Sequence, residues 1–374
     1  MPAAFNGFGF KCTECGKEVS PGTAHWRCPD CGGAFVLTGA RSFRKQMIRE
    51  QVFSIWRYGD LWDAESPVTL GEGCTSLVPA AGFQANLLFK LESLNPTGAF
   101  KDRGMSVMIT FLRANGVREV VEDSSGNAAA SLSAYSASAG MRARIFIPES
   151  TSSGKARQIK LFGAEVVPVR GARIEATRAA ERAAEEGIYY ASHFWNPFAL
   201  EGLKTLAYEV AEQLGWEGPD NVVVPCGHGT LLLGAYYGFR ALVEARILPQ
   251  MPRLFAIQAA ACRPIAAAFE AGHKHPVPVE SGETIAEGIR IVQPPRGREV
   301  LRVLRETCGA ALSVEDKETL QAHEDLARCG LFVEETSAVA VAGLRRLVHS
   351  KRLRPTERTV VVLTGNGLKT LRTG

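Results

Sequence analysis

Six short apolar runs recur between longer helical patterns in this chain, and that alternation restricts the fold more than any other feature. The runs cover residues 87–91, 144–147, 165–169, 221–224, 254–257 and 359–363, and Val, Ile, Leu and Phe dominate them. A run with little polar alternation must be covered on both faces, which is the situation of a strand in a parallel sheet. Helical patterns at 128–139, 174–186, 200–214 and 338–348 supply the cover. The expected class is α/β, with an open, mostly parallel sheet between helices and ligands bound beyond the carboxyl ends of the strands.

At 374 residues the chain exceeds what one core organises, so two or three domains are expected. Apolar residues make up 46% and charged residues 22%, which excludes disorder. The net charge of +4 comes without a Lys/Arg stripe interleaved with aromatics, so no nucleic-acid partner is expected. Residues 1–11 lack a basic start followed by an apolar core, and no segment reaches the roughly 18 uninterrupted apolar residues of a membrane span. A cytoplasmic protein with no membrane partner is the expectation. Nine cysteines fit a reducing compartment: four form close pairs, while Cys74, Cys226, Cys262, Cys308 and Cys329 are scattered through the apolar body.

The paired cysteines are Cys12-Thr-Glu-Cys15 and Cys28-Pro-Asp-Cys31, two hooks twelve residues apart, each followed by a turn glycine. This is close to the spacing of a zinc ribbon, and four thiolates with no open position make a structural site. An iron centre of rubredoxin type or unmetallated thiols are the alternatives, and His25 is a possible substitute ligand. Texture changes after residue 40, with aromatics at Trp56, Tyr58 and Trp62.

Lys101 lies in Asn95-Pro-Thr-Gly-Ala-Phe-Lys-Asp-Arg-Gly104, between a strand and a helix in apolar surroundings. Desolvation there lowers the pKa of an amine and prepares it for Schiff-base chemistry. Ser124-Ser-Gly-Asn-Ala128 opens a small-residue helix and offers N–H groups and hydroxyls to a carboxylate. Pro225-Cys-Gly-His-Gly-Thr230 joins a Val-rich strand to a helix, a unit suited to a phosphate. Thr364-Gly-Asn-Gly-Leu-Lys369 closes the last strand.

Together these motifs resemble threonine synthase and its relatives among the tryptophan-synthase-like pyridoxal enzymes, over roughly residues 67–374. Thr69-Leu-Gly-Glu-Gly-Cys-Thr75, Asn196-Pro197, Glu201-Gly-Leu-Lys-Thr205 and residues 332–338 match as well. The resemblance implies two open, mostly parallel sheets with helices on both faces, the fold type II architecture, plus the small N-terminal zinc ribbon. It divides the chain into a zinc module at 1–40, a large pyridoxal-phosphate domain at 41–105 and 190–374, and a small substrate-closing domain at 106–189. It implies pyridoxal 5'-phosphate as cofactor, an amino acid as substrate and a homodimer. By the same resemblance Lys101 is the Schiff-base lysine and the base for the α proton, Asn127 the partner of the pyridine hydroxyl, Gly227, His228, Gly229 and Thr230 the phosphate cradle, and Thr364 the hydroxyl at the ring nitrogen. Ser124, Ser125, Gly126, Asn127, Ala128, His193 and Phe194 then line the substrate, and Cys12, Cys15, Cys28 and Cys31 hold zinc.

The chain departs from that family where a phosphorylated substrate is gripped. Ala128 stands where Thr is usual, and Ala199 in His193-Phe-Trp-Asn-Pro-Phe-Ala199 stands where Arg is usual. Each lost charge-assisted bond is worth about 1.5–3 kcal/mol. Ala99 and Glu335 replace Ser and Pro. Phe194, Trp195 and Phe198 either face the substrate or pack in the core, and Arg103, Lys155, Arg157 and Arg290 are the cations from which another anion site could be built. The expected activity is a lyase working by β or γ elimination or replacement on an amino acid, with a non-phosphorylated substrate favoured. The alternatives are an ammonia-lyase of serine, threonine or diaminopropionate, a β-replacement synthase, or an inactive fold carrying an interaction module.

Overall fold

A computed structural model describes residues 7–21, 25–80, 82–83, 86–151 and 153–370, without the side chains of 153–156. The strands are β1 (Gly9–Cys12), β2 (Glu18–Val19), β3 (Phe35–Thr38), β4 (Leu77–Pro79), β5 (Leu87–Leu91), β6 (Glu119–Glu122), β7 (Arg142–Pro148), β8 (Glu165–Val169), β9 (Tyr189–Tyr190), β10 (Asn221–Pro225), β11 (Arg253–Ala259), β12 (Ala310–Val314) and β13 (Thr359–Leu363). The helices are α1 (Lys101–Ala114), α2 (Asn127–Ser138), α3 (Ser153–Leu161), α4 (Arg173–Glu185), α5 (Pro197–Gln213), α6 (Thr230–Glu244), α7 (Pro264–Glu270), α8 (Gly297–Glu306), α9 (Asp316–Arg328) and α10 (Glu335–His349). None of these helices is long and apolar enough to cross a membrane.

Two compact units result, one of Met1–Gly73, Asn95–Leu203 and Thr370–Gly374, the other of Cys74–Leu94 and Lys204–Lys369. This grouping runs along other boundaries than the division expected from the sequence. Residues 1–73 and 95–105 side with the segment 106–189, and part of the reason is aromatic packing inside the first unit. Phe10 of β1 packs edge-on against Phe198 at 5.8 Å, and Phe198 stacks on Phe111 of α1 at 3.9 Å.

In the first unit β8, β7, β6 and β9 form a parallel sheet in that order, with Val121 of β6 opposite both Arg144 and Tyr190. Ala176, Ala180 and Ala183 recur at helical spacing along α4 and pack with Val121, Phe146 and Tyr190. Helix α1 meets α5 at two glycines. A Cβ on Gly104 would come 2.7 Å from the Ala199 carbonyl oxygen, and one on Gly202 would come 2.0 Å from that of Arg103. A three-stranded antiparallel sheet, β2-β1-β3, carries the cysteine hooks.

The second unit holds a six-stranded sheet in the order β12-β11-β10-β13-β5-β4, parallel except for the edge pair β4–β5. Every residue of β10 and β13 is buried, as the unbroken apolar runs require. One charge interrupts β5: the fully buried Lys90 ammonium donates to Glu209 at 2.6 Å, to the Thr75 carbonyl at 2.6 Å and to Gln213 at 2.8 Å. Its three donors are thereby satisfied, which is what allows a lysine in a central apolar strand.

The helix crossing gives the first test. Gly202→Ala should lower unfolding free energy by about 1–3 kcal/mol, since the added methyl meets backbone that cannot swing aside. Urea denaturation of the variant measures it, and an unchanged midpoint would contradict the close approach.

Candidate active site and metal centre

Lys101 is the first residue of α1, and its amine lies 4.5 Å from the centre of the Phe100 ring. The preceding loop is fixed by its own polar groups. Gly98 adopts φ +80 and its N–H donates to the Asn95 carbonyl at 2.7 Å, while the Asn95 side chain accepts from Gly73 N–H at 2.9 Å. Burial pulls the Lys101 pKa down to about 7, against the opposing pull of the Glu122 charge. An amine so placed is a usable nucleophile and base near neutral pH.

Strand β6 ends at Glu122, and Asp123-Ser124-Ser125-Gly126 leads into α2 with Asn127 as its first residue and Ala128 buried in its first turn. Ser124 Oγ accepts from Gly126 N–H at 3.2 Å, and no side chain caps α2. The neighbouring parallel strand β9 runs the same way, so the segment after it brings His193 to β6's carboxyl end. His193 Nδ1 lies 3.2 Å from Glu122 Oε1. Phe194 is buried with its ring 5.3 Å from that of His193. Burial, with the Asp123 charge behind it, pushes the Glu122 pKa up to about 8 against the pull of Lys101 and Arg173. Glu122 is not among the residues expected from the sequence. Its signal was two adjacent acids closing an apolar strand directly before a glycine loop.

In the second unit β10 and β13 are parallel neighbours, so Gly227-His228-Gly229-Thr230 and Thr364 follow adjacent strand ends. Gly229 caps α6 at φ +84, and a Cβ there would lie 2.3 Å from Val300, so only glycine serves. Helix α6 likewise has no side-chain cap. Thr364 is buried with its hydroxyl 3.0 Å from that of Ser337, which also accepts from Gly365 N–H at 2.9 Å. A hydroxyl pair and a helix start with uncapped N–H groups suit a ring nitrogen and a phosphate.

Other expected residues have structural roles. Phe198 is buried in the aromatic stack with Phe10 and Phe111, and Trp195 packs edge-on against Trp26 at 5.5 Å. Ala199 is 1% exposed, with its backbone against Gly104. Arg103 is fully buried, Arg157 and Arg290 are exposed, and the Lys155 side chain lies outside the described residues.

The four sulfur atoms of Cys12, Cys15, Cys28 and Cys31 all lie within 4.8 Å of one another, with Cys12–Cys31 at 3.5 Å and Cys15–Cys28 at 3.7 Å. A tetrahedral zinc with bonds of about 2.3 Å needs sulfurs about 3.8 Å apart, so the set fits. Gly16 and Gly32 turn the hooks at φ +77 and +72. His25 is exposed and outside this group.

A family profile described as pyridoxal-phosphate dependent enzyme matches residues 68–365. The chain belongs to that family, the fold type II pyridoxal-phosphate enzymes. Within it the chain is similar to the threonine synthase of Methanocaldococcus jannaschii, 35% identical over 96% of this chain and 92% of the relative. It is 36% identical to that of Methanosarcina acetivorans over 97% and 92%. Among solved structures a fungal L-serine ammonia-lyase from Rhizomucor miehei shares the fold, with a TM-score of 0.68 and 22% identity over 80% of this chain and 95% of that one.

The depressed Lys101 pKa makes a prediction about stability. Its ammonium is favoured in the unfolded chain and disfavoured in the fold, so stability is lost as pH falls from the ordinary value of 10.5 to about 7 and is level below that. Lys101→Met removes the penalty. Without cofactor the variant should be more stable near pH 7, on the order of 1–2 kcal/mol, with the gain vanishing above about pH 10. Melting curves across pH check this, and a destabilised variant at pH 7 would contradict it.

Proposed function

We propose that this chain is a threonine-synthase-like lyase that eliminates or replaces a group at the β or γ carbon of a small amino acid whose leaving group is not a phosphate. Lys101 carries the proposal: a partly buried amine at a helix start, with its pKa lowered by burial to about 7, can hold an aldehyde cofactor and move the α proton. Asn127, the 227–230 turn and Thr364 are the further groups assigned to the cofactor, by family resemblance. When bound, pyridoxal phosphate supplies the electron sink, and a hydroxyl at its ring nitrogen tempers that sink in favour of elimination and replacement. Ser124 to Ala128, His193 and Phe194 are assigned to the substrate. The absence of the family's Thr and Arg, with Ala128 and Ala199 both buried, supports a leaving group without phosphate charge. An ammonia-lyase of serine, threonine or diaminopropionate, or a β-replacement synthase, is the second reading, favoured by His193 beside a buried acid.

In this proposal zinc at the four cysteines is structural and the enzyme is a cytoplasmic homodimer. Lys101→Ala should lose both the visible absorbance of the bound cofactor and all turnover; retained colour and activity would overturn the assignment. A screen of amino acids for keto-acid, ammonia and phosphate release decides the substrate, and efficient threonine formation from O-phosphohomoserine would refute the non-phosphate leaving group. Cys12→Ser should release about one zinc per chain and lower the melting temperature, read by metal analysis and calorimetry. Wild-type protein purified without metal, yet equally stable, would overturn the zinc assignment.

A further inference from the structure

Two acids close β6, and they are treated differently. Asp123 is committed: it accepts from the Tyr190 hydroxyl at 2.7 Å and the Thr177 hydroxyl at 2.5 Å, and Arg173 lies 3.8 Å away. Glu122 is 1% exposed, yet only one of its oxygens is engaged, by His193 at 3.2 Å. Its Oε2 is buried with no hydrogen-bond partner among the described residues. A carboxyl kept for structure uses both oxygens, because an unmade bond in the interior is unfavourable. The groups facing it are Lys101 from α1, Asp123 beside it, Arg173 from the start of α4, Tyr190 from β9 and His193 from the turn after β9.

On the lysine-centred reading given above, we propose that Glu122 is a second proton-handling group of the reaction and that His193 is the positioning residue that fixes its carboxyl. Lys101, as the neutral amine, takes the α proton of the substrate. Glu122, as the carboxylic acid, gives its Oε2 proton to the departing group, so that this group leaves neutral. The carboxylate that results is stabilised by Nδ1–H of His193, and it recovers its proton from the Lys101 ammonium. The substrate has then lost one proton and one leaving group, and both side chains have returned to their starting forms. The raised Glu122 pKa and lowered Lys101 pKa agree with these starting forms near neutral pH.

The test begins with full-length protein freed of cofactor. The Lys101 amine is acylated at a series of pH values and the extent read by peptide mass spectrometry. Half-labelling of the wild type is expected at about pH 7. Glu122 begins to ionise in the same pH range and its carboxylate favours the ammonium, so Glu122→Gln, neutral at every pH, should move the midpoint measurably downward. His193→Leu, which leaves the carboxylate less stabilised, should shift it the same way by less. In the loaded enzyme Glu122→Gln should cut kcat about a hundredfold with KM little changed, and the alkaline limb of the rate profile should disappear. Folded variants with the wild-type labelling midpoint, or a retained alkaline limb, would overturn the pairing. If Glu122→Gln does not fold, the His193→Leu midpoint decides alone. A wild type that takes up no pyridoxal phosphate would instead sink the cofactor reading, and the labelling result would still stand.

Discussion

The buried carboxylate of Asp102 is the interaction on which the lysine's position depends. It is fully buried and accepts three bonds, from Thr97 N–H at 2.7 Å, the Thr97 hydroxyl at 2.6 Å and the Ser131 hydroxyl at 2.6 Å. These donors come from the loop before α1 and from α2, so a single charge ties the lysine loop to the helix that follows the Ser-Ser-Gly-Asn segment. Hydrogen bonds to a charged acceptor contribute about 1.5–3 kcal/mol each, and loss of the acceptor strands three buried donors. A second anchor runs parallel to it. The buried Glu72 accepts from the Tyr135 hydroxyl at 2.7 Å and from Leu70 N–H at 2.9 Å, fastening the Thr-Leu-Gly-Glu-Gly turn to the same α2.

With its backbone so constrained, the site can hold groups in states that water would not favour. Lys101 is drawn toward its neutral form and Glu122 toward its acid form, both by burial before any specific partner acts. Stability is given up for reactivity at these two side chains, and the packed helices α1 and α5 bear the deficit.

Much of this was legible in the sequence, for identifiable reasons. Strands β5 and β13 fall on the runs 87–91 and 359–363, because a strand covered on both faces writes itself as an apolar run; β8 falls on 165–169 as an edge strand whose residues are half-buried or exposed. Strand β12, Ala-Ala-Leu-Ser-Val, was not anticipated: alanine is a poor strand former, and its pairing with β11 decides the matter. Helices α7 to α9 were missed too; in α9 most positions are charged or polar, and a capping box of Glu315 and Glu318 starts it. The lysine, the glycine turns and the cysteine hooks stood out because few residue types do their work. Glu122 did not, because its meaning lies in an oxygen left unbonded. Nor did the sequence distinguish core from pocket for Phe194, Trp195 and Phe198, since apolar rings serve both.

The aromatic contacts of the N-terminal module bear on biosynthesis. Phe10 and Trp26 leave the ribosome roughly a hundred and seventy to a hundred and ninety residues before their partners Phe198 and Trp195. The cysteine module is therefore made in advance of part of the surface it covers: Phe10 meets Phe35 within the module, while the edge-on partners of Phe10 and Trp26 arrive only with residues 195–198. A chain shortened by its first forty residues has the converse problem. Phe198 and Trp195 lose ring partners, and apolar surface built for burial turns to solvent.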